Sequence, residues 1–287
     1  MIREERGLGM PPIFRFGALL ALIFLLVPMV VIVVAGLTAG GYLKFPPDGF
    51  SLRWVLAFLG LGPGSYVAST GEAGASPVFI RAFGFSFLLA LSSTVCSLAL
   101  GTMASLVLIR HNFPGRSFFQ AFFLSPIMLP GIVIGLALFI FYRTLGLGLP
   151  RSYVGLLIGH VIVCTPFVIR TVSASLHSFD LSLEEAARSL GASALQTFRQ
   201  ITLPLIKPGV MAGAIFSFIV SFGQFDVTVF LAIPQQQTLP LTIFDHLRFH
   251  SDPIPAAAGI FAITLVAASL LITARAGDLK AFSGFGK

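Results

Sequence analysis

Residues 180–209, DLSLEEAARSLGASALQTFRQITLPLIKPG, form the longest polar-rich island in an otherwise oily chain. The stretch reads as two short helices joined at a glycine. Ser182 and Glu185 have the spacing of a capping box, in which each side chain satisfies a free backbone N–H of the other's turn. Leu183, Ala186, Ala187 and Leu190 recur at i, i+3, i+4 and i+7 and make one small, mildly apolar face. Glu184 and Arg188 stand four apart on the opposite face, a spacing that allows weak pairing. Gly191 falls where a helix C-terminus favours a residue at positive φ. Ser193 and Gln196 repeat the capping-box spacing, and Leu195, Phe198 and Ile201 carry a second apolar stripe. Pro204 is expected to end that helix, because proline has no N–H and clashes with the preceding turn. A helix this short is not stable unsupported. Its Ala-rich face flanked by charges suits either an ordinary amphipathic connector or docking into another protein's groove, since both use this pattern.

The surrounding composition excludes a soluble domain. Of 287 residues, 56% are hydrophobic and only 10% charged, whereas soluble chains are about a quarter charged. Thirty phenylalanines beside one tryptophan and four tyrosines fit a lipid-facing surface. The net charge of +7 comes from basic residues scattered singly between apolar runs, so they read as topology signals and not as a nucleic-acid surface. Cys96 and Cys164 lie deep in apolar segments and read as small core residues, with no disulfide.

Six apolar runs follow one another. The first, 16–37, is longer than the apolar region of a signal peptide and reads as a retained first span with Pro28 as a kink. Residues 38–80 are a Gly- and Pro-rich loop with a short surface helix around 51–59. Arg81 and Arg110 bracket the second run. Arg116 and Arg143 bracket the third, broken by Pro126 and Pro130-Gly131. Arg151 and Arg170 bracket the fourth, which contains His160. The fifth is expected over 210–233 and carries one acid, Asp226; the sixth lies between Asp252 and Arg275. Such lengths match a hydrocarbon core about 30 Å thick at about 1.5 Å per residue. With the N-terminus inside, twelve of the eighteen lysines and arginines fall on inner segments, which favours both termini inside. The aromatic belt residues Tyr42, Trp54, Tyr66, Tyr142 and Tyr153 then fall on the outer side.

The docking residues carry a resemblance. Glu185-Ala186-Ala187, Leu190-Gly191-Ala192, Phe198, Leu203-Pro204 and Pro208-Gly209 closely resemble the EAA loop of ABC importer permeases, without a gap over the whole stretch. From about Val78 to Thr273 the chain resembles the type I permease core, and within it the spermidine/putrescine branch. The branch resemblance rests on 126–130 (PIMLP), 160–171 (HVIVCTPFVIRT), 221–226 (SFGQFD) and 238–240 (TLP). That branch usually has an acid where Gly223 or Gln224 stands, so related branches for aminoethylphosphonate, γ-aminobutyrate and opine-like compounds stay open.

The resemblance implies an all-α membrane protein of six transmembrane helices with the type I fold, N-in and C-in. It implies three regions: a tail, first helix and external loop over 1–77; a five-helix core over 78–275 with the coupling loop 180–209; and a cytoplasmic tail over 276–287. The coupling helix would fit a cleft on a cytoplasmic ATPase through Glu184, Glu185, Ala186, Ala187, Leu190, Gly191, Ala192, Phe198 and Pro204. Partners would be a second and different permease subunit, two ATPase subunits that hold ATP and Mg, an external binding protein and lipid, in a bacterial inner membrane. The chain itself has no Gly-x-x-x-x-Gly-Lys-Ser/Thr loop, so it is expected to bind no cofactor and catalyse no reaction.

Asp226 is the candidate for the solute path, with Phe222, Gln224, Phe225 and Phe230 near it in sequence. The competing reading is a structural acid paired near the outer end of its span. His246 and His250, with Asp245 and Asp252 nearby, lack the His-Glu-x-x-His pattern and read as a solvated loop without metal. His160 reads as a packed, hydrogen-bonded residue. A secondary transporter or channel working without an ATPase is the alternative function; it would not need the docking loop.

Overall fold

The computed structural model describes residues 12–61, 76–146, 148–178, 180–233 and 236–276. Much of the external loop (62–75) and the tail from 277 onward lie outside the described residues, as do the first eleven positions. The uncharged runs become helices: α1 (Pro12–Gly36), α3 (Ser76–Arg110), α4 (Arg116–Met128), α5 (Gly131–Thr144), α6 (Tyr153–His177), α9 (Leu203–Phe222) and α12 (Ile254–Ala276). Shorter helices lie between them: α2 (Arg53–Phe58), α7 (Ser182–Ser189), α8 (Ala194–Thr197), α10 (Thr228–Leu231) and α11 (Leu239–Phe249). Among the described residues the only extended pairings are two isolated bridges, Thr38 with Phe50 and Ile233 with Gln236. Among the described residues, five helical segments are long and apolar enough to cross a membrane, and the bent pair α4–α5, taken as one span, makes a sixth.

Contacts divide the chain into two compact units, Met1–Pro77 with Phe249–Thr264, and Val78–Arg248 with Leu265–Lys287. In the first unit the surface helix α2 is anchored by Trp54, which is buried and donates its indole N–H to the Gly40 carbonyl at 3.0 Å. Arg53 stacks over that ring at 4.6 Å. Phe58 stacks on Phe261 of α12 at 4.5 Å. Gly36 of α1 lies so close to α12 that a Cβ would stand 2.9 Å from the Ala256 carbonyl carbon, so the two helices cross at a glycine. Most of the rest of α1, from Ile13 to Val30, is exposed.

In the second unit, α3 and α6 run parallel. The Ser97 hydroxyl donates to the Val161 carbonyl and the Ser105 hydroxyl to that of Ile169, with the same sequence offset. The middle of α3 meets the start of α6, where the Tyr153 hydroxyl donates to Ser92 at 2.9 Å. Two parallel helices in sequence need the chain between them to return. The α4–α5 pair, bent by 108° at Leu129-Pro130, is therefore a broken span and not a re-entrant loop. The bend follows from Pro126 and Pro130: each lacks a donor, and Leu129 before Pro130 takes the extended conformation (φ −89°, ψ 139°) that a pre-proline residue favours.

Helices α6 and α9 run antiparallel in close contact. Ser221 pairs with His160 and Ser217 with Cys164, so numbers fall along α9 as they rise along α6. Gly209, Gly213, Ser217 and Ser221, spaced four apart, supply the contact face. A Cβ on Gly209 would stand 2.4 Å from the Ser175 hydroxyl and 2.5 Å from the Thr171 carbonyl. Small residues at this spacing let helices in lipid approach backbone to backbone. Cys164 is buried on this face and both cysteines are free.

The fifth span differs from its sequence expectation at both ends. It begins earlier, because a π-helical turn (Phe198–Thr202) joins α8 to α9 without interruption. Pro204 does not end the helix; its missing donor falls beside the turn where the bonding register already changes. The span also ends earlier, at Phe222, and a break over 223–227 precedes α10.

Candidate functional site

The loop 180–209 folds into α7, a glycine turn and α8. Ser182 lies inside α7 and does not cap it; Leu181 is the N-cap, and Asp180 just before it accepts the Ser182 N–H with its carboxylate at 2.9 Å. The Ser182 N–H, and then its hydroxyl, hold the Asp180 carboxyl below the ordinary aspartate value of 3.8. Gly191 has φ +91°. With the Ala192 N–H bonded to the Ala187 carbonyl and the Gly191 N–H to that of Arg188, it closes α7 as a Schellman motif. Ser193 and Gln196 form a reciprocal capping box on α8. Glu185, Ala186, Leu190 and Gly191 are exposed, while Ala187, Ala192 and Phe198 are half-buried. Pro204 is exposed at the root of α9.

Glu184 departs from this pattern. Instead of pairing with Arg188 on an outer face, it is buried. Its Oε1 accepts from the Arg110 guanidinium at the end of α3 and from the Thr202 hydroxyl in the π-helical turn.

The second candidate region lies where two helix interruptions meet. Asp226 sits in the turn between α9 and α10, outside any helix, and its side chain is exposed. The break between α4 and α5 faces it. A Cβ on Gly131, the first residue of α5, would stand 2.9 Å from the Asp226 Cβ and 3.1 Å from its Oδ2. The Gln224 amide nitrogen would be 3.3 Å from the same point. One turn further, Gly135 admits the Val227 backbone equally closely. Only Gln224 and Asp226 of the expected path residues share this place. Phe222 is buried, edge-on to Phe83 and stacked on Phe218, and Phe225 packs on Phe244 at 4.9 Å. A cavity of about 890 Å³ between α3, α4, α5 and α6 is lined almost wholly by aliphatic and phenylalanine side chains. It offers nothing to bind a charged solute.

A family model for the binding-protein-dependent transport system inner membrane component matches residues 97–280, more than half of the chain. This chain is an ABC importer permease. It is 34% identical over 209 residues to the molybdenum transport system permease protein ModB of Haemophilus influenzae, covering 68% of this chain and 91% of that one. It is 30% identical over 240 residues to the putrescine transport system permease protein PotI of Escherichia coli K12, covering 82% and 80%. A solved bacterial ABC transporter, involved in the import of the acidic polysaccharide alginate, superimposes with a TM-score of 0.61 over 95% of this chain and 97% of its own. At 19% identity that likeness establishes the shared type I permease fold.

Two features of the permease escaped the sequence reading. One is the inward turn of Glu184: the spacing of α7 alone put it opposite the apolar face, and its partners lie 74 residues before and 18 after. The other is a buried polar chain at the crossing of α3, α6, α9 and α10. The Thr228 hydroxyl donates to the Gln224 carbonyl at 2.8 Å and so accepts from His160 Nε2 at 3.0 Å. His160 Nδ1 then accepts the Ser221 hydroxyl at 2.8 Å, and the Ser221 oxygen accepts from Ser93 at 2.7 Å. The Ser93 hydroxyl also lies 3.1 Å from the Ala90 carbonyl; with the Thr228 hydroxyl committed to Gln224, the network assigns the Nε2-protonated tautomer. His160 is thus the packed, hydrogen-bonded residue expected, and it holds Thr228 in place two residues beyond Asp226. The four-residue spacing of small residues on α9 was the available signal for that crossing. The remaining candidates find structural roles: Asp245 accepts from the Gln237 amide at 3.1 Å, and His246 packs edge-on to Phe79. Asp252 accepts the Ile254 N–H at 3.1 Å at the start of α12.

Proposed function

We propose that this permease carries a small amine-type solute, a polyamine or a related compound such as aminoethylphosphonate or γ-aminobutyrate, across a bacterial inner membrane. The observation that carries the reading is the meeting of two helix breaks at Asp226. Non-helical backbone at membrane depth is tolerated only inside protein or along a wet cavity. An ionised acid facing hydrocarbon costs about 2.5–3.5 kcal/mol even on the gentlest scale. An exposed Asp226 between two breaks therefore fits a watered path. The names of the relatives divide between a cation, putrescine, and molybdenum. A carboxylate attracts an ammonium group and repels an oxyanion, which favours the amine.

Work would be coupled through the exposed face of α7, seated on a cytoplasmic ATPase. A second, different permease subunit, two ATPase subunits holding ATP and Mg, and an external binding protein complete the importer. ATP binding draws the two docking helices together and opens the path outward; hydrolysis resets it. This chain supplies path and lever and needs no cofactor of its own.

The competing role for Asp226 is structural: it lies at the amino end of α5, whose dipole favours a carboxylate there. Asp226→Asn separates the two, since it keeps the shape and removes the charge. In the assembled importer it slows radiolabelled putrescine uptake about tenfold, a coupling-sized effect, while ATP hydrolysis changes less. Uptake at the wild-type rate would make Asp226 a structural acid.

A further inference from the structure

We propose that Glu184 is the joint through which α7 moves the membrane helices, and not part of the surface presented to the ATPase. This rests on the reading of α7 as the docking helix. A single buried oxygen gathers three elements: Glu184 on α7, Arg110 in the last turn of α3, and Thr202 in the π-helical turn at the root of α9. Charge-assisted bonds of this kind are directional and roughly twice as strong as neutral ones. Burial keeps water from competing for the same oxygen.

The rest of the loop is built to pivot around that point. Asp180, the Schellman turn at Gly191 and the Ser193 box all satisfy α7 and α8 locally. Local caps give α7 its two ends but no tether to the bundle, whereas α8 runs on into α9 through the π-helical turn. Glu184 is the buried charged residue of α7, and its two partners sit at the ends of the helices that must tilt.

The π-helical turn serves the same joint. Thr197 and Thr202 are five apart and both buried, whereas a regular α-helix would turn them well away from each other. Thr202, Ile206, Gly209 and Gly213 share one regular α-helical face, and the wider turn before them brings Thr197 of α8 onto that buried face as well. A displacement of α7 is thus handed to α3 and α9 together, and α9 carries it along the α6 contact.

The test uses the whole importer, purified from its own membranes through a tag on this chain, with Cys96 and Cys164 replaced by serine. Nitroxides at Ser189→Cys and His111→Cys report the separation of α7 from the end of α3. In the parent protein the distance distribution is narrow. Glu184→Ala broadens it, leaves the ATPase subunit bound in parent stoichiometry, and cuts uptake per ATP hydrolysed about tenfold. A narrow distribution in Glu184→Ala overturns the proposal, and so does loss of the ATPase subunit with the distance unchanged, which would make Glu184 a docking contact. If Glu184→Ala does not accumulate, Thr202→Val, which keeps the ion pair, decides by the same distance: broadened supports the joint, unchanged overturns it. Ala187→Trp, measured alongside, separates the premise. It should detach the ATPase with the distance still narrow; normal coupling in Ala187→Trp would sink the docking role of α7 instead.

Discussion

The proposed coupling and path roles each turn on a glycine, Gly191 and Gly131. At φ +91° an L-residue costs about 1–2 kcal/mol. No atom lies within 4 Å of where the Gly191 Cβ would stand, so the cost is purely conformational. Gly191→Val is expected to loosen the Schellman turn and uncouple ATP hydrolysis from uptake, with membrane levels of the chain unchanged on an immunoblot. At Gly131 the cost is space. A methyl there meets the Asp226 Cβ at 2.9 Å, so Gly131→Ala displaces the acid, and uptake falls as it does for Asp226→Asn. Equal uptake in Gly131→Ala and the parent would remove Asp226 from the path. Asp180 carries a pH dependence. Its folded carboxyl titrates below the ordinary value of 3.8, so its contribution is complete above that value and is lost only as pH falls through the lower folded value. Asp180→Ala should therefore matter at neutral pH, seen as a lower melting temperature at pH 7, with the difference from the parent shrinking under strong acid. Of these residues, Gly191 was legible from its place after Leu190. Gly131 was not, because nothing near it in sequence announces that Asp226 comes to lie against it.

At the scale of elements, the uncharged runs and their bracketing arginines delimited most of the long helices within a few residues. The fourth helix runs past its bracketing Arg170 to His177. The two ends that moved furthest belong to the fifth span, and both moved for local backbone reasons. Its start was hidden because Pro204 normally stops a helix; a π-helical turn immediately before it absorbed the missing donor. Its end was hidden because 223–233 is as apolar as the helix before it, so hydropathy continues where the backbone breaks. The same break moved Asp226 from helix interior to an exposed turn. The α6–α9 crossing makes a direct prediction. Gly209→Ala places a methyl against the Thr171 carbonyl and the Ser175 side chain, and overpacking of this kind costs about 1–3 kcal/mol. It should lower the midpoint of thermal aggregation in detergent, whereas Gly17→Ala, at a position with nothing within 4 Å, should not. Equal midpoints would mean that α6 and α9 have room to part.

For the whole molecule, orientation is the property on which every functional statement depends. The geometry constrains it independently of charge. Because α3 and α6 are parallel, the end of α3, the end of α6 and the loop 180–209 share one side, as the Arg110–Glu184 ion pair requires. The positive-inside bias then says which side: Arg110, Arg116, Arg170, Arg188, Arg199 and Lys207 all gather there. An ATPase acts from the cytoplasm, so a docking helix on the opposite face would be useless. In a variant with Cys96 and Cys164 replaced by serine, Ser193→Cys is therefore expected to react with a membrane-impermeant maleimide only when reagent reaches the cytoplasmic side. Tyr42→Cys, an exposed position in the other unit, should react only from outside. Labelling of Ser193→Cys from outside in intact cells would invert the topology. It would leave the fold and the Glu184 joint standing, but it would remove α7 from the reach of any ATPase and with it the proposed mechanism.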